Sequence, residues 1–417
     1  MKTLFINGSP HKNGATVHLA QILLDRRVYE SIHLVDYKIY SYGQKFDDDE
    51  FHKVLEAMKQ ADTIVIGSPV YWHNLSGAVR NLLDRLYGAI HRQDMKGKRL
   101  FFLFQGGAPD KWMIEAGEYS IRMFAHLYGL EYMGMATTTC QAKELARKLL
   151  TMEKYIRLND GHVMPMIGFG TYQMPCRITQ HCVEQALEIG YRHIDTAQCY
   201  GNEHEVGLAV KASGLKREDV FVTTKLWGAH GYGDTMRSIE NSLREIGLEY
   251  IDLFLIHEPS GDFISQYQAM EDAQKMGLLR SIGIANFLDD NYLRLVNKCT
   301  VIPAVNQIET HVYRQQSTMH KLLQEYGTWH ESWSPLVCGQ NGFFRDPVLR
   351  KIADSHGKSI AQIGLRWLLQ CNIDAIPKTT HKERMQENID IFDFELSGDD
   401  MQAISCLDTG RSQFGWW

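Results

Sequence analysis

The strongest constraint on this chain is an alternation of short apolar runs with amphipathic stretches, carried from Thr3 to Thr379. A parallel sheet with helices on its faces produces that pattern, because crossover helices cover each strand on both sides. In the first 150 residues five runs qualify as strands: TLFIN, SIHLVDY, TIVIGSP, RLFFLFQG and EYMGMAT. Between them lie helix candidates such as ATVHLAQILLDRR, FHKVLEAMKQA and GAVRNLLDRLYG. Residues 1–150 are therefore expected to form a doubly wound, flavodoxin-like α/β sheet with its ligand off the carboxyl ends of the strands.

Beyond Asp160 the alternation continues through eight further strand candidates: MIGFGTY, RHIDTA, FVTTKL, IDLFLIH, LLRSIGIAN, AVNQIE, TWHESWSP and AIPKT. Helical patterns such as CVEQALEIG, TMRSIENSLREIG, ISQYQAMEDAQKMG and PVLRKIADSHG separate them. Eight βα units in ~260 residues predict a TIM (β/α)8 barrel for residues 151–417, with its chemistry at the carboxyl ends of the strands. The stretch QAKELARKLLTMEKYIRL crosses the boundary without Gly, Pro or Ser. A helix is thus expected to run almost directly into the opening hairpin of the second domain.

A formal charge of −6 disfavours nucleic acid and anionic membranes as partners. No apolar stretch approaches the ~18 residues of a membrane span, and TLFIN follows Met1 and Lys2 too closely for a signal peptide, so a cytoplasmic location is expected. The eight cysteines show neither a C-x-x-C pair nor a histidine partner at zinc spacing, which reads as reduced thiols and no metal site.

Four residues near the ends of three successive barrel strands, Asp195, Tyr200, Lys225 and His257, form a set able to protonate a carbonyl oxygen. A phenol with a pKa near ~10 needs a neighbouring cation to act as an acid at neutral pH, and Lys225 is the candidate. Asp195 would hold the ammonium, and His257 would orient the carbonyl or share the proton. Asn286, Gln307, Trp333 and Lys378 fall at or just after later strand ends, so seven strands would converge on one mouth. The expected substrate is a small carbonyl compound.

GFGTY at 168–172, HIDTAQCYGNE at 193–203, TTKLW, LFLIHEP, GIANF at 283–287, VNQIE at 305–309, WSPL at 333–336 and IPKTTHKERMQEN at 376–388 stand in the order found in aldo-keto reductases, which residues 154–415 resemble. The resemblance implies Tyr200 as general acid, with Asp195, Lys225 and His257 completing a tetrad. It implies NADPH held without a Rossmann glycine fingerprint: Asn286 and Gln307 on the nicotinamide carboxamide, Trp333 stacked on the ring, and Ser334 and Leu336 beside it. Lys378, Thr379 and Arg384 would clasp the 2'-phosphate, while Glu387 and Asn388 would face the adenine. A lysine and a fork-shaped guanidinium near a helix start suit a phosphate dianion. Glu258, Ala285 and the SQFGWW tail depart from the common pattern near the substrate pocket. HEPSGDF and the short loops look most like the prokaryotic branch containing 2,5-diketo-D-gluconic acid reductases and methylglyoxal-reducing enzymes.

In the first domain NGSPHKNGAT at 7–16 follows a strand and opens a helix, the setting of a phosphate cradle. GSPVYWHNLSG at 67–77 and FQGGAP at 104–109 follow the third and fourth strands, so three loops would meet where a flat ring could lie. These motifs resemble the NADPH-dependent FMN and quinone reductases. The resemblance implies that Ser9, Asn13, Gly14, Ala15 and Thr16 hold the FMN phosphate. It also implies that Pro69, Val70, Tyr71, Trp72, Gly106 and Gly107 border the isoalloxazine, and that a homodimer forms through this domain. The cysteine-free YKIYSYGQKFDDDEF argues against the iron-sulfur cluster that one branch carries. Two readings follow: an NADPH-dependent carbonyl reductase fused to an FMN-binding reductase, or a barrel controlled by a non-catalytic dimerisation or flavin-sensing module. The junction fits either an old fusion or a read-through of neighbouring genes.

Overall fold

The computed structural model describes residues 2–24, 27, 29–91 and 94–415, so Asp25 and Arg26 of the first expected helix and Trp416 and Trp417 of the tail lie outside it. The chain divides into two compact units, Met1–Met152 and Glu153–Trp417.

The first unit is built on β1 (Thr3–Asn7), β2 (Glu30–His33), β3 (Thr63–Tyr71), β4 (Asn74–Leu75), β5 (Arg99–Gln105) and β6 (Glu131–Ala136). Its parallel order is β2-β1-β3-β5-β6, and β4 adds an antiparallel hairpin to β3. Side chains alternate between two cores. Leu4, Ile6, Ile64, Ile66, Leu100, Phe102 and Phe104 pack with Val54, Met58, Leu82, Leu86 and Phe124 on one face. Phe5, Val65, Phe101 and Leu103 pack with Leu19, Leu23 and Leu145 on the other. This period of two is why each strand reads as an unbroken apolar run. The run SIHLVDY is the exception: its strand stops at His33, and Leu34–Asp36 turns into a short 3-10 helix. Chain order reverses at β1, between β2 and β3, which marks a crevice at the carboxyl ends of β1 and β3.

Helix Thr139–Glu153 is followed, after Lys154 alone, by the antiparallel hairpin of β7 (Tyr155–Arg157) and β8 (Val163–Pro165). The barrel strands are β9 (Phe169–Gly170), β10 (His193–Asp195), β11 (Phe221–Leu226), β12 (Ile251–Ile256), β13 (Leu279–Ala285), β14 (Val305–Glu309), β15 (Trp329–Trp333) and β16 (Asp374–Ala375), each parallel to the next. A parallel bridge between Ile167 and Ala375 joins the first staves to the last, helped by the Gly168 N–H donating to the Ala375 carbonyl at 2.9 Å. All eight expected strands are present.

Outside the staves, helix Glu203–Ala212 lies against helix Gly231–Ile246, and a methyl group at Gly207 would overlap the Ile246 carbonyl oxygen. A backbone carbonyl cannot swing aside like a side chain. Gly207→Ala is therefore expected to destabilise the barrel by about 1–3 kcal/mol. The check is the urea midpoint of the barrel's transition, and an unmoved midpoint would show that the helices separate freely.

Candidate active site

Asp195 closes β10 and Lys225 sits one residue before the end of β11, so parallel pairing brings both into the barrel interior. Both are fully buried. The Lys225 ammonium donates to Asp195 Oδ1 at 2.6 Å, to the Thr196 carbonyl at 3.0 Å and to the Tyr200 hydroxyl at 3.3 Å. Burial disfavours the ammonium, yet the charge of Asp195 and the proximity of Tyr200 outweigh that and hold Lys225 above the ordinary lysine range. Tyr200 ends a 3-10 turn, Gln198–Tyr200, closed by the left-handed Gly201. Buried Asn202 fixes that turn by donating to the Thr171 and Met174 carbonyls and accepting the Thr196 hydroxyl at 2.7 Å. The motif-based reading passed over Asn202, although its place inside HIDTAQCYGNE was a usable signal.

His257 follows β12, its ring 5.8 Å from that of Tyr200 and edge-on to it. Burial, reinforced by the Lys225 charge, lowers the imidazole to about 3, so it is neutral. Its Nδ1 lies 3.5 Å from Cys199 Sγ, and Nε2 has no partner among the described residues. One expectation needs correction. The Tyr200 phenol is raised, not lowered, because burial outweighs the Lys225 charge. Lys225 therefore stabilises a phenolate once it forms without creating one at rest.

Around this centre Asn286, in the left-handed region that asparagine tolerates, donates to the His257 carbonyl at 3.1 Å and to Glu258 at 3.0 Å. It accepts the Trp333 indole N–H at 2.8 Å. The Gln307 amide donates to Asp195 Oδ2 at 3.0 Å and to Glu331, and its own carbonyl oxygen has no protein partner among the described residues. Ser334 has a positive φ and meets Cys338 through its hydroxyl, and half-buried Leu336 stands beside it. Lys378 and Arg384 are exposed and lack ion pairs among the described residues, bracketing the start of helix Lys382–Ile389, with Thr379 and Asn388 buried beside them and Glu387 partly exposed. Two unpaired cations at a helix start fit a phosphate dianion.

At the crevice of the first unit the Gly8 N–H donates to the Gly67 carbonyl at 2.7 Å and Ser76 Oγ to the Gly8 carbonyl at 2.9 Å, tying the loop after β1 to β3 and to the residue that follows β4. A side chain at Gly8 would collide with Val79. Ser9 and Thr16 are buried, and exposed Asn13 and Ala15 flank Gly14 at the start of helix Ala15–Leu24. The free N–H groups of that helix start suit a phosphate. Gly106 packs so closely on Val70, next to Pro69, that a Cβ would come to 3.0 Å, whereas Gly107 faces open space. Bare backbone here fits a flat ring. Tyr71 is half exposed, but Trp72 is 95% exposed, raised on a hairpin tip with His73 where both φ angles are positive. The structure thus gathers the other expected flavin neighbours and leaves Trp72 projecting into solvent.

A cation-backed phenol at the mouth of a barrel, beside amides and an unpaired cationic clasp, defines an NADPH-dependent oxidoreductase. Residues 166–408 match the aldo/keto reductase family, and residues 1–130 match the NADPH-dependent FMN reductases. The chain belongs to the aldo/keto reductase family and carries an NADPH-dependent FMN reductase domain ahead of the barrel, whose family implies FMN as a second cofactor. It is 42% identical to an aldo-keto reductase of Mycolicibacterium smegmatis, over 62% of this chain and 95% of that protein. It is 40% identical to the methylglyoxal reductase DkgA of Escherichia coli K12, over 61% and 94%. The solved Bombyx mori aldo-keto reductase in complex with NADP aligns with a TM-score of 0.59 and 36% identity, over 62% and 94%. No helix among the described residues is long and apolar enough to cross a membrane.

Burial raises the Glu258 carboxyl to about 7, with the Asn286 hydrogen bond pulling the other way. An acid raised on folding keeps its proton in the fold after the unfolded chain has lost it. Its stabilisation is complete below the unfolded value of 4.5 and is lost as pH rises through 7. Glu258→Gln should flatten that slope: between about pH 5 and pH 8 the barrel's urea midpoint falls less than in the parent protein. Equal slopes would show that Glu258 ionises normally.

Proposed function

We propose that the barrel reduces aldehydes and ketones to alcohols, with Tyr200 delivering the proton, and that the N-terminal domain is a separate FMN-binding NAD(P)H reductase. The observation carrying this reading is a single buried ammonium shared by Asp195 at 2.6 Å and the Tyr200 hydroxyl at 3.3 Å. NADPH, when bound, supplies a hydride to the carbonyl carbon. Tyr200, kept protonated by burial, donates to the oxygen as charge develops there. An alkoxide is far more basic than a phenolate, so a raised phenol still serves as the acid. Lys225, already in place, stabilises the phenolate left behind. Neutral His257 offers an N–H to orient the carbonyl.

In this reading Asn286 and Gln307 take the carboxamide, Trp333 covers the ring with Ser334 and Leu336 beside it, and Lys378, Thr379 and Arg384 hold the 2'-phosphate. Glu387 and Asn388 meet the adenine. Relatives called methylglyoxal reductases favour small dicarbonyls as substrates. Ser9, Asn13, Gly14, Ala15 and Thr16 hold the FMN phosphate, and Pro69, Val70, Tyr71, Gly106 and Gly107 border the flavin. The eight free thiols suit the reducing cytoplasm. An exposed apolar face of Tyr42, Tyr87, Tyr119, Met123 and Leu127 on the first domain supports a homodimer through it.

Tyr200→Phe should lower carbonyl-dependent NADPH oxidation by about 10²–10⁴-fold while quinone-dependent oxidation persists. Retained carbonyl turnover would overturn the tetrad assignment, and loss of both would overturn the separation of the domains. Replacing Lys378 and Arg384 together by Ala should raise the KM for NADPH at least about tenfold, with far less effect on NADH. Equal effects on the two nucleotides would remove the clasp.

A further inference from the structure

Beneath the tetrad, one interior layer of the barrel carries more acid than its cations can balance. Strand pairing sets Gln307 opposite Glu331 and Glu331 opposite Asp374, so the three side chains stand in a row across β14, β15 and β16. Gln307 links the row to Asp195, and its Nε2 donates to both Asp195 and Glu331. Asp374 Oδ1 accepts the Trp329 indole N–H at 2.8 Å. The remaining oxygens, Glu331 Oε2 and Asp374 Oδ2, are buried with no hydrogen-bond donor among the described residues, and the two carboxyls approach within 4.8 Å of each other. Two facing acceptors are satisfied together only when a proton lies between them.

The charge balance agrees. The ionisable groups facing Glu331 are Asp374 on β16, Asp195 and His193 on β10, and Lys225 on β11. His193 is buried and neutral, lowered to about 3, so among the described residues Lys225 is the one cation facing three carboxyls, and Asp195 already holds it. A second or third bare carboxylate in this interior would be uncompensated. Burial, with the negative charge of Asp195 behind it, raises Glu331 to about 7, and Asp374 lies well above its ordinary range.

We propose that Glu331 is a positioning residue for carbonyl reduction: sharing a buried proton with Asp374, it fixes the Gln307 amide against Asp195, and loss of a proton from this pair sets the alkaline limb of turnover. The inference rests on the tetrad reading above. When the pair loses a proton as pH rises through neutrality, a new negative charge appears two side chains from Lys225. That charge makes the Tyr200 phenol a weaker acid and pulls the Gln307 amide toward Glu331, away from Asp195. Both effects slow the reaction. No bond to substrate is formed or broken by Glu331, which acts only through Gln307 and Asp195.

The test is kcat/KM for methylglyoxal at saturating NADPH from about pH 6 to pH 9, across which the parent protein should lose about three- to tenfold through a single ionisation. Glu331→Ala should lose at least about tenfold at pH 6, and Glu331→Gln, which keeps an acceptor for Gln307 and offers Asp374 a donor, should recover most of it and lack the alkaline limb. Asp374→Asn should flatten the limb in the same way, whereas Glu258→Gln should retain it. A Glu331→Gln profile with the parent's limb would overturn the proposal, as would full turnover in Glu331→Ala. One equivalent of divalent metal in the purified chain would also overturn it, since a cation would replace the shared proton. Should Glu331→Ala fail to fold by circular dichroism, the Glu331→Gln profile decides alone. Tyr200→Phe run alongside separates the two readings: activity there removes the tetrad, while an inactive Tyr200→Phe beside an unaltered Glu331→Gln profile removes only the role of Glu331.

Discussion

The Lys225–Asp195 pair is the interaction on which the architecture of the candidate active site depends. Placing two ions where no water reaches them costs several kcal/mol each, and close geometry with further hydrogen bonds is what offsets it. Here the ammonium spends its three donors on Asp195, the Thr196 carbonyl and Tyr200, and Asp195 receives Gln307 on its second oxygen. Because Lys225 and Asp195 stand on neighbouring strands but Gln307 reaches Asp195 from β14, the barrel must close correctly before the pair can have its full set of partners. Chemistry and folding therefore share a requirement. Removing either member would leave the other buried and bare, which is a larger penalty than the pair itself is worth.

Much of this was readable before any coordinates. Strands buried on both faces gave continuous apolar runs, so all eight staves and four of the five long strands of the first sheet fell where expected. SIHLVDY misled because Leu34 and Val35 extend an apolar run through a turn that buries only the first of them. That Asp195, Tyr200, Lys225 and His257 come together was legible because three of them lie at or next to the ends of successive strands and the fourth follows in the turn after β10. Glu331 and Asp374 were not: an acid inside TWHESWSP or before AIPKT looks like the solvent side of an alternating strand, and only register shows it facing inward. Nor could spacing tell that desolvation of the half-buried Tyr200 phenol outweighs its cation.

On the proposed function the two domains meet anionic cofactors by different physical means. In the first, glycines bring bare backbone close and a helix start supplies N–H groups, so recognition depends on the absence of side chains at Gly8 and Gly106. In the barrel the clasp is made of side chains, Lys378 and Arg384, on the exposed approach to a short helix. The first arrangement tolerates almost no substitution, whereas the second can be retuned one residue at a time.

Lys154 alone separates the helix Thr139–Glu153 from the strand that opens the barrel unit. Translated as one chain, the FMN reductase domain and the barrel are made in one-to-one dosage, and neither can be induced without its companion. Deleting the reading frame would remove both activities at once. Assigning a cellular phenotype to one of them demands point lesions confined to a single domain, and on the proposed function Tyr200 is where such a lesion belongs in the barrel.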